Sequence, residues 1–380
     1  MFVYLTYAEP PSGVYSSQVI DVISFLNNRM KAGIRLVAFI SLHDFSKNKA
    51  IIKNDLPDAI VLPMLPKATF WKINTIFLWI LCLFIRPTAI IARNVIAANM
   101  ALKVRKRTSV KQVCFDGRGA IAAEWKEYDV KVVDSWKRDI DALESRAVME
   151  SDFRIAVTEK LVDYWHERYG YSTGKHVVIP CTLNSSFSPE VPSDETKITA
   201  RKKLGLQVND VVLAYSGSIA GWQSFPSLYK YIGPYLKAST SNKIIFLAKA
   251  EENIEKLEKE FPGQVLRQWV KHHEVPFVLA ACDMGILIRD ISITNKVASP
   301  TKFAEYLSAG LPVIISEEVG DYSDFVKIHQ CGIIANGHGL PTIQTSDMHT
   351  RSRMITLVQK NFTKEAQLEH YRELISSLQN

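Results

Sequence analysis

The sequence predicts an α/β protein made of two Rossmann-like domains, each a doubly wound parallel sheet covered by helices. Three observations support this fold class. The chain of 380 residues is longer than one hydrophobic core usually accommodates. Short β-type runs alternate with helical patterns in both halves, which is typical of parallel sheets. Residues 180–194, between the halves, are rich in proline and serine and lack periodicity, as linkers do.

The first predicted domain covers residues 1–185. Its β-type runs lie at residues 2–7, 34–40, 89–92, 112–115 and 153–157. Helical patterns lie between runs at residues 18–31, 73–85 and 139–149. Parallel strands need such crossovers, and ligands of these sheets bind beyond the carboxyl ends of the strands.

The second predicted domain covers residues 190–362. Its β-type runs lie at residues 211–215, 243–247, 264–266, 284–288 and 312–315. The last segment, residues 363–380, is predicted to form an amphipathic helix with Thr363 as N-cap, and this helix is expected to pack back on the first domain. Two such domains in tandem predict a ligand site in a central cleft that both domains face.

Composition excludes several classes of protein. Apolar residues make up 47% and charged residues 22% of the chain, which is the balance of a folded globular protein. No Cys-x-x-Cys pair occurs, and the nine histidines have no metal-type spacing beyond the adjacent His272 and His273, so we expect no metal site. The start of the chain does not resemble a signal peptide, and we expect a cytoplasmic protein. Five widely spaced cysteines are then reduced core residues: Cys82, Cys114, Cys181, Cys282 and Cys331.

The net charge of +7 indicates anionic partners, whether phosphates or acidic lipid. One compact basic run occurs at residues 103–107, but no basic repeat is interleaved with aromatic residues, so nucleic acid is not an expected partner. The very apolar segment 76–85 has basic residues on both sides. Ten residues are too few to span a bilayer as a helix. The segment is either a buried helix or a helix at an anionic membrane interface.

The most informative segment is residues 299–315, SPTKFAEYLSAGLPVII. Ser299 as N-cap and Pro300 at the first helical position predict a helix with Thr301 and Lys302 in its first turn. The start of such a helix attracts anions, and Lys302 adds a full positive charge. Glu305 follows Thr301 by four residues and so lies on the same helical face, where its carboxylate can bind a ribose diol. An ordinary capped helix explains the same residues.

This segment resembles the nucleotide-binding motif of retaining GT-B glycosyltransferases of family 4, in the branch whose helix begins with Ser-Pro-Thr-Lys. The resemblance implies that Glu305 holds the ribose and that residues 299–302 hold the diphosphate of a nucleotide-sugar. Further segments are similar to that family in the same order: residues 154–170, 177–189, 213–223 and 270–290. The implied fold is GT-B, and the implied donor-binding residues include Gly217 and Ser218 in the loop after the run 211–215.

Two features depart from the family pattern. The position eight residues before Glu305 holds Val297, so the first of the family's two glutamates is missing. The usual arginine and lysine after the first strand of the second domain are also absent. The cations that remain near strand ends are Lys302, Arg289 and Lys249, in that order of preference, with a solvated loop lysine as an equal interpretation of Lys249.

The first domain offers weaker candidates. Gly13, in the loop after the first strand, is similar to the family's glycine loop, although a plain turn explains it equally well. Asp116 and Arg118 belong to an Asp-x-Arg-Gly sequence that resembles a motif of some of these transferases, and we predict catalytic or acceptor-side roles for both. Glu124 is a weaker acceptor-side candidate. The Asp-x-Asp sequence at residues 139–141 falls in a helical pattern and is interpreted as a solvated face.

The resemblance implies a metal-independent hexosyltransferase that needs no cofactor beyond its nucleotide-sugar substrate, either UDP- or GDP-linked. The expected acceptor is a glycan or a lipid-linked glycan in bacterial surface polysaccharide synthesis, such as capsule or O-antigen. This role predicts a protein in the cytoplasm or at the inner face of the cell membrane, with residues 76–86 as the membrane contact. Two alternatives remain open: a UDP-sugar 2-epimerase of the same fold, and a non-catalytic protein that binds a nucleotide or glycan.

Overall fold

The computed structural model of the protein describes residues 1–128, 134–217, 224–337 and 339–379. The chain divides into two compact units. Unit 1 contains Met1–Asn184, Val297–Ser299 and Gln367–Asn380. Unit 2 contains Ser185–Lys296 and Pro300–Ala366. Each unit is built on its own parallel sheet.

The described residues form strands and helices that alternate along the chain. The strands are β1 Phe2–Tyr7, β2 Ile34–Ile40, β3 Ile60–Pro63, β4 Ala89–Arg93, β5 Gln112–Asp116, β6 Phe153–Ala156, β7 His176–Val178, β8 Val211–Ser216, β9 Asn242–Leu247, β10 Val265–Gln268, β11 Met284–Leu287, β12 Val313–Ser316 and β13 Gly332–Ala335. The helices are α1 Gly13–Tyr15, α2 Asp21–Met30, α3 Phe45–Asp55, α4 Trp71–Ile85, α5 Val95–Arg105, α6 Ile121–Glu127, α7 Asp134–Glu150, α8 Glu159–Tyr169, α9 Asp194–Lys203, α10 Phe225–Ala238, α11 Glu252–Glu260, α12 Val275–Ala280, α13 Ile293–Lys296, α14 Thr301–Ser308, α15 Tyr322–His329, α16 Met348–Asn361 and α17 Leu368–Gln379. A π-helical segment, Ser16–Ile20, joins α1 to α2, and 3₁₀ turns at Ala68–Phe70 and His272–Glu274 precede α4 and α12.

The sheet of unit 1 has the strand order β3-β2-β1-β4-β5-β6-β7 among the described residues, with parallel pairing throughout. Both faces are buried, as parallel sheets require. Along β1, Val3 and Leu5 enter one apolar cluster, whereas Phe2 and Tyr4 enter another. The strand order reverses between β1 and β4, and the carboxyl ends there form the expected ligand position.

The sheet of unit 2 has the order β10-β9-β8-β11-β12-β13 in the described part of the chain, again with parallel pairing. Its switch point lies between β8 and β11. Leu228 and Ile232 of α10 pack with Ile254 of α11 in one core cluster. Elsewhere in unit 2, Phe303 of α14 packs edge-on against Tyr322 of α15, with ring centroids 4.8 Å apart. This doubly wound architecture confirms the predicted fold class.

Several observed helices differ in extent from the predicted ones, and α7, for example, begins at Asp134 and not at residue 139. The C-terminal helix begins at Leu368 and not near Thr363, because the Thr363 hydroxyl accepts a hydrogen bond from the Ala366 amide at 3.1 Å and caps a separate turn. Apolar residues of this helix join a core cluster of unit 1: Tyr371, Leu374, Ile375 and Leu378. The apolar helix of the first half is longer than predicted. The stretch Ala68–Ile85 is long and apolar enough to cross a membrane, with a mean hydropathy of 1.8. Only 28% of this stretch is buried in the protein.

Candidate functional site

Helix α14 begins at the switch point of unit 2, although its start differs from the prediction. Thr301, not Pro300, is the first helical residue, and Pro300 holds the cap position in an extended conformation. Ser299 is not the N-cap, because its hydroxyl accepts a hydrogen bond from the Cys181 amide at 2.8 Å. The first turn of any helix presents amide N–H groups that lack intrahelical acceptors. The start of α14 therefore attracts anions even without a serine cap.

Tyr306 fixes α14 against the sheet. Its hydroxyl accepts a hydrogen bond from the Ser216 amide at 2.8 Å, at the carboxyl end of β8. Its ring lies directly over Gly285 of β11, where an added Cβ would come within 2.3 Å of ring atoms. Glycine at this position lets the ring approach the backbone closely. The two contacts connect α14 to β8 and β11, the two strands of the switch point.

Lys302 points along the start of α14 toward the end of β8. Its Nζ lies 4.7 Å from the ring centroid of Tyr215, within cation–π range. Gly217 follows β8 with a φ of +102°, and an added Cβ there would lie 3.2 Å from the Lys302 amine. Burial and then the charge of Arg289 lower the pKa of Lys302 to about 7, although the carboxylate of Glu305 opposes the shift. An anion bound here would restore the positive charge.

Arg289 follows β11 and provides the second cation of this edge. Its amide donates to the Ser316 hydroxyl at 2.8 Å, and its guanidinium donates to the buried Asn295 side chain at 3.2 Å. These contacts hold the guanidinium close enough to influence the pKa of Lys302. Two cations that repel each other beside a helix start form an arrangement suited to a diphosphate.

Glu305 lies one helical turn after Lys302 on α14 and faces the loop that follows β10. Its side chain is 14% exposed, and its Oε1 lies 3.8 Å from Nε2 of His272. The His272 imidazole has two further contacts within unit 2. Its ring centroid lies 5.1 Å from that of Phe187, and its Nδ1 lies 3.3 Å from the Ser186 hydroxyl. A carboxylate held in this way can accept hydrogen bonds from two adjacent hydroxyls.

The remaining predicted donor-binding residues are Lys249, Gly13 and Ser218. Lys249 is exposed after β9, with its Nζ 5.1 Å from the ring centroid of Trp269. Gly13 is the exposed first residue of α1, which the Ser12 hydroxyl caps. Ser218 lies outside the described residues. The donor-binding roles of all three stay predictions.

In unit 1, Asp116 ends β5, the strand beside β4, and is completely buried. Its carboxylate accepts hydrogen bonds from the Tyr4 hydroxyl and, at 2.9 Å, from the Arg118 guanidinium. Arg93, at the end of β4, lies 3.8 Å from the same carboxylate and is bound on its other side by Glu9 at 2.7 Å. A buried carboxylate held by this many donors positions its neighbours and is badly placed to contact a substrate.

Arg118 and Glu9 are the parts of this network with access to solvent, since their side chains are 16% and 27% exposed. Arg118 is the one of the two that binds Asp116 directly. Burial works against its charge, but Asp116 and Tyr4 outweigh this effect and hold the pKa of Arg118 well above its usual range. Glu124 is half-buried on α6, and burial raises its pKa. Asp141 forms an ion pair with Arg168 at 3.0 Å, which agrees with the solvated face predicted for residues 139–141.

Sequence reasoning missed several residues that shape these two sites. Tyr306 and Tyr215 look like ordinary core positions of an amphipathic helix and a buried strand. The close approach of Tyr306 to Gly285 and the cation–π contact of Tyr215 with Lys302 reveal their roles. The sequence predicts no role for His272 in this site. Tyr4 and Arg93 lie far from Asp116 in sequence, and the parallel pairing of β1, β4 and β5 brings them together.

No protein-family model matches the chain. The chitobiosyldiphosphodolichol beta-mannosyltransferase of Candida albicans is 24% identical over 234 residues, which cover 59% of this chain and 48% of that protein. The chain thus matches about half the length of this curated relative.

Solved structures resemble the chain over almost its whole length. HepE of Anabaena, in complex with UDP and glucose, has a TM-score of 0.72 at 14% identity, covering 99% of both chains. WaaG, a glycosyltransferase involved in lipopolysaccharide biosynthesis, has a TM-score of 0.61 at 14% identity, covering 100% of this chain and 95% of its own. A putative UDP-N-acetylglucosamine 2-epimerase of Listeria monocytogenes reaches 0.55 at 9% identity, over 98% and 90%. The chain therefore has the GT-B fold, with two Rossmann-like parallel-sheet domains.

Proposed function

We propose that the protein is a glycosyltransferase that moves a sugar from a UDP- or GDP-linked donor to a glycan or lipid-linked glycan. One observation carries the proposal: Lys302, Arg289 and the start of α14 meet at the switch point of unit 2, with Glu305 one turn away. HepE, which shares the fold over 99% of both chains, was solved with UDP and glucose. The mannosyltransferase relative supports the same class of reaction.

In this proposal the diphosphate lies at the start of α14. The amide groups of the first turn and the charges of Lys302 and Arg289 bind its oxygens. Glu305 accepts hydrogen bonds from the ribose hydroxyls, and His272 orients the carboxylate. Because the first glutamate and the usual arginine and lysine of the resembled family are absent, these residues carry more of the donor affinity.

Glycosyl transfer builds negative charge on the departing diphosphate while the sugar becomes oxocarbenium-like. Cations that interact more strongly with the departing charge than with the bound donor lower the barrier. The proposed reaction uses no protein nucleophile, no metal and no cofactor, and it proceeds with retention as in glycosyltransferase family 4. In unit 1, Arg118 contacts acceptor or sugar hydroxyls, and Asp116 acts as the residue that positions Arg118.

The proposed pathway is the synthesis of a bacterial surface polysaccharide, such as capsule or O-antigen. WaaG, which takes part in lipopolysaccharide biosynthesis, and the mannosyltransferase both support a glycan acceptor. The corresponding location is the cytoplasm, at the inner face of the cell membrane, where lipid-linked acceptors are available.

A thermal-shift series with UDP, GDP and their sugar conjugates tests the donor site, since a ligand stabilises the folded protein by an amount that grows with the logarithm of its concentration over its Kd. We expect stabilisation of the wild type by one nucleotide series. Lys302→Ala and Glu305→Ala should each weaken binding by roughly ten- to a hundredfold, because each removes a charged hydrogen-bonding group. Lys256→Ala is the matched control, since this lysine pairs with Glu252 on the exposed surface of α11. Unchanged binding in both site variants would contradict the proposal.

A further inference from the structure

One face of α4 exposes a continuous set of large apolar side chains. Phe84 is 81% exposed, and Ile76 is 54% exposed. We call the whole set the apolar face of α4: Ile73, Ile76, Phe77, Trp79, Ile80, Leu83 and Phe84. Single exposed apolar residues are common on soluble proteins, but seven on one helix mark an interaction surface.

The opposite face of α4 is fixed in the core of unit 1. Trp71, Leu78 and Cys82 are buried in one apolar cluster with residues of the sheet. Asn74 is also buried and donates to the Tyr7 hydroxyl at 3.2 Å. If α4 crossed a bilayer, these side chains would have to leave the core, so its length and hydropathy do not make it a membrane span. The helix can only lie flat, with its apolar face outward.

The sequence around α4 has an unusual charge. Residues 59–115 contain nine lysines and arginines and no aspartate or glutamate, so this segment alone carries +9 in a chain whose net charge is +7. Two of the nine are in ion pairs, Arg93 with Glu9 and Arg105 with Asp152. The exposed members near the helix form what we call the basic border: Lys67, Lys72, Arg86, Lys106 and Arg107.

Some of these basic residues lie directly beside α4. The Trp79 indole donates to the Arg107 carbonyl at 3.4 Å, so the end of α5 adjoins the apolar face. The Nζ atoms of Lys103 and Lys72 lie 4.3 Å and 5.9 Å from the Trp71 ring. Burial and then the charges of Lys72 and Arg146 lower the pKa of Lys103, as expected where positive charges are crowded together.

We propose that the apolar face of α4 and its basic border dock this protein on an anionic lipid bilayer. The apolar side chains enter the boundary between headgroups and acyl chains, and the lysines and arginines meet the anionic headgroups. A second copy of the chain is a poorer occupant, because a symmetric contact would place two basic borders against each other. The surface belongs to unit 1 and does not involve the proposed donor site.

Co-sedimentation of the full-length chain with vesicles tests this docking. One vesicle preparation contains phosphatidylcholine alone, and the other contains equal parts of phosphatidylcholine and phosphatidylglycerol. We expect binding to the anionic vesicles that weakens as salt is added, because salt screens the basic border. The double variant Ile80→Glu/Phe84→Glu should bind at least about tenfold more weakly, since it places two charges in the apolar boundary. Lys106→Gln/Arg107→Gln removes two of the five charges of the basic border and should lose part of the binding and part of its salt dependence.

Ile328→Glu is the matched control, because Ile328 is 75% exposed on α15 of unit 2 and should leave vesicle binding unchanged. Absence of binding to anionic vesicles would overturn the proposal. The proposal would also be overturned if the wild type does not bind vesicles but forms a dimer that dissociates in the Ile80→Glu/Phe84→Glu variant. Stabilisation by UDP or GDP, measured on the same preparations, separates this result from the donor site. It should persist in the α4 variants, and its absence in the wild type with both nucleotides would contradict only the proposed function.

Discussion

Lys302 carries a charge that its surroundings oppose. Its pKa of about 7 results chiefly from burial, and a bound diphosphate would raise it by supplying a nearby negative charge. Binding above neutral pH must therefore bring a proton into the site. The affinity for the donor therefore depends on the protonation state of Lys302.

The pH dependence of UDP affinity follows from this linkage. Above about pH 7 the free protein loses the Lys302 proton, and the apparent Kd should rise by up to about tenfold per pH unit until the pKa of the bound state is reached. Calorimetry in buffers with different ionisation heats would measure the proton uptake directly. Lys302→Arg keeps its charge and should bind with a nearly flat pH profile. Equal pH profiles for the two proteins would show that Lys302 is not the linked group.

Single residues were predicted well where the evidence was local. The spacing of Thr301, Lys302 and Glu305 on one helix could be derived from the sequence because a helix fixes its own neighbours. Ser299 could not, since its hydroxyl binds the amide of Cys181, a residue 118 positions away. The hydroxyl–carboxylate contact between Tyr4 and Asp116 also depends on strand pairing.

At the scale of elements, the position of α14 depends on the contact between Tyr306 and Gly285. Gly285→Ala would place a Cβ within 2.3 Å of the ring, which cannot be accommodated unless the helix moves. We expect a loss of about 1–3 kcal/mol in the free energy of unfolding, as for other overpacked cores, and weaker UDP binding because Lys302 moves with the helix. Denaturant titration and calorimetry would measure the two effects.

Gly233→Ala serves as the control for this change. Gly233 is also buried, but an added Cβ would lie no closer than 3.4 Å to the Tyr229 ring. The helix propensity of alanine is offset by the following Pro234, which disfavours a Cβ on the preceding helical residue. Gly233→Ala should therefore cost less stability than Gly285→Ala and leave UDP affinity unchanged. If Gly285→Ala behaved in the same way, the Tyr306 contact would not be what positions α14.

Strands were predictable where they are central and fully buried. The predicted runs at residues 2–7 and 34–40 coincide with β1 and β2. Three strands were missed: β3, β7 and β13. Each lies at the edge of its sheet, has only three or four residues and is partly exposed, so its apolar run is too short to stand out.

At the scale of the whole molecule, the alternation of strand and helix patterns was enough to predict two doubly wound domains. The sequence did not indicate how the chain is shared between the units. Residues 297–299 belong to unit 1 although they directly precede α14 of unit 2. Val297 accepts a hydrogen bond from the Thr158 hydroxyl at 2.9 Å, a contact between residues 139 positions apart. Long-range contacts of this kind leave no local pattern in a sequence.

Product analysis with a UDP- or GDP-sugar labelled in the sugar tests the central claim most directly. The account predicts that the label passes to an acceptor glycan, or slowly to water when no acceptor is present, with release of the nucleoside diphosphate. Lys302→Ala and Glu305→Ala should abolish this release, whereas Lys256→Ala should not. Formation of the epimeric free sugar or nucleotide-sugar without an acceptor, or nucleotide binding without any sugar release, would contradict the account.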